Sequence, residues 1–232
     1  RSAFHVDVVV GVVVIVGGPQ YRVGSHRQFV HMSRAFASSG YAVLRFDYRG
    51  MGDSEGSLKA FESIDHDVAA AIDALHLNVP SVKKTVLWGL CDGASAALLY
   101  MREARDPRVS GLCLLNPWAR SEASLAKTHV KHYYLQRVLQ REFWVKVISG
   151  KAGWEAIHGF VRNIRIALRR QPPSTDTSSL PFQVKMANAW KQYNRPIQLL
   201  LSENDLTAKE FIEHTNSNAA WTGALNLPGV SQ

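Results

Sequence analysis

Cysteine is nearly absent from this sequence: Cys91 and Cys113 are the only two in 232 residues. Two thiols in unlike settings make no disulfide framework, which points to a reducing compartment. Long hydrophobic runs are missing as well. No stretch reaches the ~20 apolar residues of a membrane span. The longest run, VVVGVVVIVGG from Val8, is valine-rich and closes on two glycines, as a buried strand does. The first residues, RSAFHVDVVV, have no leucine-rich core and no small-residue cleavage site, so no secretory signal is expected and the cytoplasm is the default. The chain starts without Met, almost directly in a core strand, and the expectation is a piece truncated at both ends. Repeats and low-complexity tracts are absent. The nine histidines show no metal-site spacing, so neither a metal nor a cofactor is expected.

What is present is charge, unevenly placed. Residues 117–195 carry 14 Lys/Arg against 4 Asp/Glu, whereas the remainder carries 13 against 15. One segment therefore holds the whole basic excess of a chain with net charge +8. Such a patch attracts anionic substrates, acidic glycans or lipid headgroups. No nucleic-acid motif accompanies it, and no nucleic acid is expected. Peripheral membrane contact is a candidate role; the oligomeric state is not legible.

The first half alternates apolar runs with helical patterns. Strands are expected at Val8–Val16, Tyr41–Phe46, Thr85–Trp88 and Val109–Leu115, with helices at Ser25–Ser39, Phe61–Leu77 and Asp92–Arg105. That alternation predicts an α/β fold with a doubly wound, mostly parallel sheet, its chemistry at the C-terminal strand ends. After Asn116-Pro117 the pattern changes to two basic, aromatic helical stretches and a polar loop, QPPSTDTSSLP. The alternation resumes with RPIQLLLS as strand, TAKEFIEHTN as helix and WTGALNLP as strand. The expected division is a core over 1–116, a helical lid over 117–190 and the rest of the core over 191–232.

Within VLWGLCDGASAALLY, Gly89-Leu90-Cys91-Asp92-Gly93 forms G-x-C-x-G between a strand and a helix. This is the nucleophile-elbow pattern with cysteine where serine is commoner. The apex residue takes a strained backbone conformation, and small flanking residues let the helix pass close to the strand. The thiol then faces a helix N-terminus, whose dipole and free N–H groups favour a thiolate. The alternative is a buried cysteine at a glycine-rich turn. Cys113, inside the apolar run GLCLLN, reads as structural.

Two further segments agree with the elbow. LRFDYRGMGDSEG (44–56) resembles the D-x-R-G-x-G-x-S loop of α/β-hydrolases, and VVIVGGPQYRVGSHRQF (13–29) occupies the place of their oxyanion loop. The whole is similar to the α/β-hydrolase superfamily. More narrowly, GGPQYRVGSHRQF, FDYRGMGDSEG, WGLCD, LLNPW, RSEASLAKTHVKHYYLQR and QREFW resemble the exosortase A system-associated hydrolases. Those bacterial proteins are encoded with exopolysaccharide and protein-sorting genes. The resemblance implies a hydrolase acting on an ester, thioester or lactone through an acyl-cysteine. Its substrate would be a small molecule or a lipid- or glycan-linked acyl group. The alternative is an inactive hydrolase-fold binding or scaffolding protein.

The fold's chain order is nucleophile, acid, histidine. Asp205 in LLLSENDLTAKEF stands where the acid belongs, with Glu203 as fallback; otherwise Asp205 and Thr207 are helix caps. By the family pattern the histidine would fall at Gln232 or just beyond. Other histidines have weaker claims: His214 lies inside a predicted helix, His26 in the oxyanion-loop region, and His129 and His132 on a lid helix. One oxyanion donor should be the N–H of Asp92. Pro19 has no N–H, so the other is expected from Gln20, with Tyr21 behind it. The Asp92 carboxylate opposes thiolate formation unless a cation pairs with it, and Arg22, Arg49 and Arg120 are candidates. Tyr21, Arg22, His26 and Arg120 are the expected substrate-binding residues. Asp47 and Asp53 read as turn residues.

Overall fold

The computed structural model describes residues 10–18, 20–120 and 180–232. The chain divides into two units, one of residues 1–119 with 180–232 and one of residues 120–179. The expected lid helices, with His129 and His132, lie outside the described residues.

Six strands form one parallel sheet in the order β2-β1-β3-β4-β5-β6. They are β1 (Val10–Ile15), β2 (Ala42–Arg45), β3 (Lys84–Leu90), β4 (Val109–Leu115), β5 (Ile197–Leu200) and β6 (Val230–Ser231). The helices between them are α1 (Gln28–Ser38), α2 (Asp65–Asn78), α3 (Asp92–Ala104), α4 (Phe182–Gln192) and α5 (Leu206–Ser217). The valine run explains the centre of the sheet, because successive side chains of a strand point to opposite faces. Val13 and Ile15 join the large cluster that contains residues of α2, α3 and α4; Val12, Val14 and Val16 join the smaller one with Phe29, Met32 and Phe36 of α1. A strand covered on both faces is apolar at every position, as this one is. The Phe29 ring meets Trp88 edge-on, with 5.8 Å between centroids.

Three expectations change in detail. Residues 25–27 form a 3-10 turn in which His26 and Arg27 have φ of 51° and 60°, so α1 starts only at Gln28. Residues 182–190, expected in the insertion, belong to α4, with Met186 and Trp190 fully buried against the core. WTGALNLP is not a strand. It forms 3-10 turns at Ala219–Trp221 and Ala224–Asn226, and the strand comes later, at Val230–Ser231. The reason is aromatic: Trp221 packs edge-on to Trp190 and Phe211 at 5.5 and 5.4 Å, and Trp190 Nε1 donates to Ala224 O at 2.9 Å. Burying those rings outweighs the alternation that suggested a strand.

The sheet order reverses around β1, which pairs with β2 on one side and β3 on the other. Open α/β sheets bind ligands at such a switch point, outside the carboxyl ends of the strands. Here that crevice is framed by the loop after β1 and the turn after β3.

Candidate active site

Cys91 joins β3 directly to α3 with φ 57° and ψ −122°. A non-glycine residue holds such a conformation only when its surroundings enforce it, and here they do. Its N–H donates to Leu115 O at 2.9 Å, and its carbonyl accepts from Ala94 and Trp118 N–H at 3.1 Å each. The flanking glycines are steric requirements. A Cβ on Gly89 would lie 2.5 Å from Ala94 Cα, and one on Gly93 would lie 2.4 Å from Ile15 O. The sharp turn and close helix crossing of a nucleophile elbow are both present.

The half-buried thiol has partners on both sides. The N–H of Asp92 and the hydroxyl of Thr207, at the start of α5, favour its charged form. The expected thiolate does not follow, however. Burial, then the adjacent Asp92 carboxylate and more weakly Asp205, push the thiol up to about 11 against those two groups. Desolvation and like charge overcome the helix N-terminus. Cys91 is a neutral thiol at neutral pH and needs a base to act. Thr207 was legible in the sequence only as a cap; its influence on the thiol requires β5 to be placed two strands from β3.

The loop after β1 forms the other wall. The expected second donor, Gln20, has its N–H bonded to Gly18 O at 2.7 Å and is not free for an oxyanion. At the same wall the Gly18 N–H donates to the Asp92 carboxylate. Burial raises that carboxyl above its ordinary value, opposed by the N–H groups of Gly18, Gly93 and Asp92 itself.

Two of the candidate cations, Arg22 and Arg49, are engaged elsewhere. Arg22 pairs with Asp47 and with Asp53, and its N–H donates to Asp47 Oδ1 at 2.7 Å. Arg49 pairs with Asp67. Tyr21 donates its hydroxyl to Asp53 at 2.6 Å, and the Arg22 guanidinium lies 4.6 Å from the Tyr21 ring centroid. Tyr21 and Arg22, expected to bind substrate, thus lock the loop after β1 to the loop after β2. Asp47 and Asp53 hold that join, as turn residues do. His26 is exposed and makes no hydrogen bond to Cys91. Arg120 is half-buried.

Asp205 is the N-cap of α5, and its Oδ1 accepts from Ala208 N–H at 3.0 Å. Its charge is nonetheless felt at Cys91, so both readings of this residue meet at one place. Glu203 is exposed in the preceding turn. His214 faces its own helix, with Nε2 3.5 Å from Asn218 Nδ2, and burial lowers its pKa. Among the described residues, no histidine hydrogen-bonds Cys91 and no group of three His, Cys, Asp or Glu residues is set to hold a metal. Two residues that the sequence did not single out also shape the crevice. Buried Tyr48 places its hydroxyl 3.4 Å from Gly18 O, and Asn116 ties β4 to β5 by accepting from Ser202 N–H at 2.8 Å.

A parallel sheet with helices on both faces and an elbow at its switch point defines an α/β-hydrolase. The pattern of the family described as serine aminopeptidase, S33, matches residues 9–164, and the chain belongs to that family. It is 30% identical over 115 residues to phospholipase YtpA of Bacillus subtilis strain 168, a match covering 48% of this chain and 42% of YtpA. The chain spans about two fifths of the length of the curated relatives it matches. Among solved structures, the Pyrococcus furiosus esterase Pf2001 is similar with TM-score 0.57 at 17% identity, over 97% of this chain and 71% of that one. A thermophilic esterase from Thermogutta terrifontis gives TM-score 0.54 at 20% identity, over 97% and 80%. These likenesses establish the fold.

Proposed function

We propose that the chain forms the core of an acyl hydrolase that cleaves an ester, thioester or lactone through an acyl-Cys91 intermediate. The observation that carries this reading is the backbone of Cys91, φ 57° and ψ −122°, at the head of α3. In the reaction, Sγ attacks the acyl carbon while its proton passes to a base outside the described residues. The carbonyl electron pair moves onto oxygen and is received by backbone N–H groups at the start of α3. Collapse of that intermediate expels the alkoxide or thiolate, which takes up a proton, and water then releases the acid. Asp205 has the role of orienting the base. Activated acyl groups suit a thiol best.

The names phospholipase and esterase, borne by the relatives, support an ester substrate. The basic excess of 117–195 supports an anionic one, lipid- or glycan-linked, and favours contact with anionic membrane surfaces. The resemblance to exosortase A system-associated hydrolases supports an acyl group attached to envelope polysaccharide or its precursors. A second reading, a hydrolase-fold binder without turnover, is favoured by the thiol held at about 11.

The test is intact-mass analysis after incubation with short-chain p-nitrophenyl esters and acyl thioesters. The hydrolase reading expects one acyl group on Cys91, absent from Cys91→Ala. Turnover that survives Cys91→Ala, or no acylation by any of these donors, overturns it in favour of the binder.

A further inference from the structure

The carboxylate of Asp92 reaches from the start of α3 to the loop after β1, where it accepts the N–H of Gly18; the N–H groups of Gly93 and of Asp92 itself also favour its charged form. Gly18 stands 74 residues upstream, past the end of β1, so its donor comes from the opposite wall of the crevice. The carboxylate is adjacent to Cys91 and raises the pKa of its thiol. The fit is close: a Cβ on Gly17 would fall 2.6 Å from Asp92 Oδ1. Among the described residues no Lys or Arg pairs with this carboxylate, since Arg22 and Arg49 bind Asp47, Asp53 and Asp67, and Arg45 donates to Arg22 O. The groups facing it are backbone donors and the phenol of Tyr48. A carboxylate oxygen that accepts a backbone N–H from the opposite wall, beside a nucleophile, uses the kind of donor a tetrahedral oxyanion requires.

We propose that Asp92 is an internal occupant of the oxyanion site, so that acyl transfer to Cys91 begins with the substrate's carbonyl oxygen displacing the Asp92 carboxylate from Gly18 N–H. This rests on the reading of Cys91 as nucleophile. The residue after the nucleophile then selects substrates: only an acyl group anchored well enough elsewhere in the crevice pulls the carboxylate out. Small esters bound by their carbonyl alone react slowly.

The probe is a short alkyl trifluoromethyl ketone. Sγ adds to its carbonyl carbon, the thiol proton leaves to solvent, and the carbonyl electron pair becomes an oxyanion that needs the same donors. Binding is measured as protection of Cys91 from iodoacetamide, whose displacement chemistry builds no oxyanion. The direct alkylation rate of each variant corrects for changes in the thiol itself. Asp92→Ala should bind the ketone at least about tenfold more tightly than the parent after that correction, since one oxyanion donor is worth 10²–10³ in rate. Asp92→Asn, which keeps the shape and loses the charge, should fall between and covers the case in which the alanine variant does not fold. Equal or weaker ketone binding in the folded variants overturns the proposal while leaving Cys91 as nucleophile. Absence of any Cys91 adduct in parent and variants, with alkylation intact, overturns both readings.

Discussion

At the scale of single residues, the site is a contest over one proton. Burial and two carboxylates hold the Cys91 thiol protonated, and the Asp92 N–H and the Thr207 hydroxyl oppose them. Alkylation of Cys91 should therefore climb with pH well beyond the ~8.5 of a free thiol and level off near 11. Site-resolved mass spectrometry of iodoacetamide labelling from pH 6 to 11.5 checks this. Thr207→Val removes a hydroxyl that favours the charged form and should slow labelling at fixed pH by about twofold or more, with the cap of α5 kept by Asp205. Thr207→Ser should restore the rate.

At the scale of elements, the elbow and the aromatic clamp can be tested separately. Gly93→Ala places a methyl group 2.4 Å from Ile15 O, a backbone atom of the central strand that cannot step aside. Overpacking of this kind costs about 1–3 kcal/mol. Denaturant unfolding should show that loss, together with altered Cys91 labelling. Trp190→Ala empties a fully buried site against Phe211 and Trp221, and about 3–5 kcal/mol is expected by the same measurement.

This is also the scale at which the sequence was most legible. The strands around the elbow follow from valine-rich runs and glycine breaks, and Val109–Leu115 falls where the pattern places it. Residues 221–228 were misread because alternation says nothing about a tryptophan that finds its partners in α4 and α5. Within the site, Cys91 and Asp92 were legible because elbow chemistry is local to five residues. Gly18 and Thr207 were not: each owes its place to a strand pairing, and no spacing along the chain encodes it. Nor does composition show that the Gln20 N–H is taken up by a turn hydrogen bond to Gly18 O.

Over the whole molecule, pH acts through groups at opposite ends of α3. Buried Asp106 is held at about 2 by Arg108 and the Tyr100 hydroxyl, against its own desolvation. A carboxyl whose folded pKa is depressed stabilises the fold above its unfolded value and loses that contribution as pH falls toward the folded one. Stability should therefore decline from about pH 4 down to about 2. Cys91 acts with the opposite sign: its raised pKa favours the fold at lower pH, and that contribution is lost between about 9 and about 11. Thermal unfolding across pH should show the broadest plateau between these limits, and Asp106→Asn should flatten the acid side. No helix among the described residues is long and apolar enough to cross a membrane.

The tie between Asn116 and Ser202 joins residues 86 apart in the chain. Strands β1 and β3 close a ring of similar size, since Val10 pairs with Lys84 across 74 residues. Closure entropy grows only with the logarithm of ring size, about 0.6 kcal/mol per doubling, so the long segment between β4 and β5 adds little to the cost of completing the sheet beside Cys91.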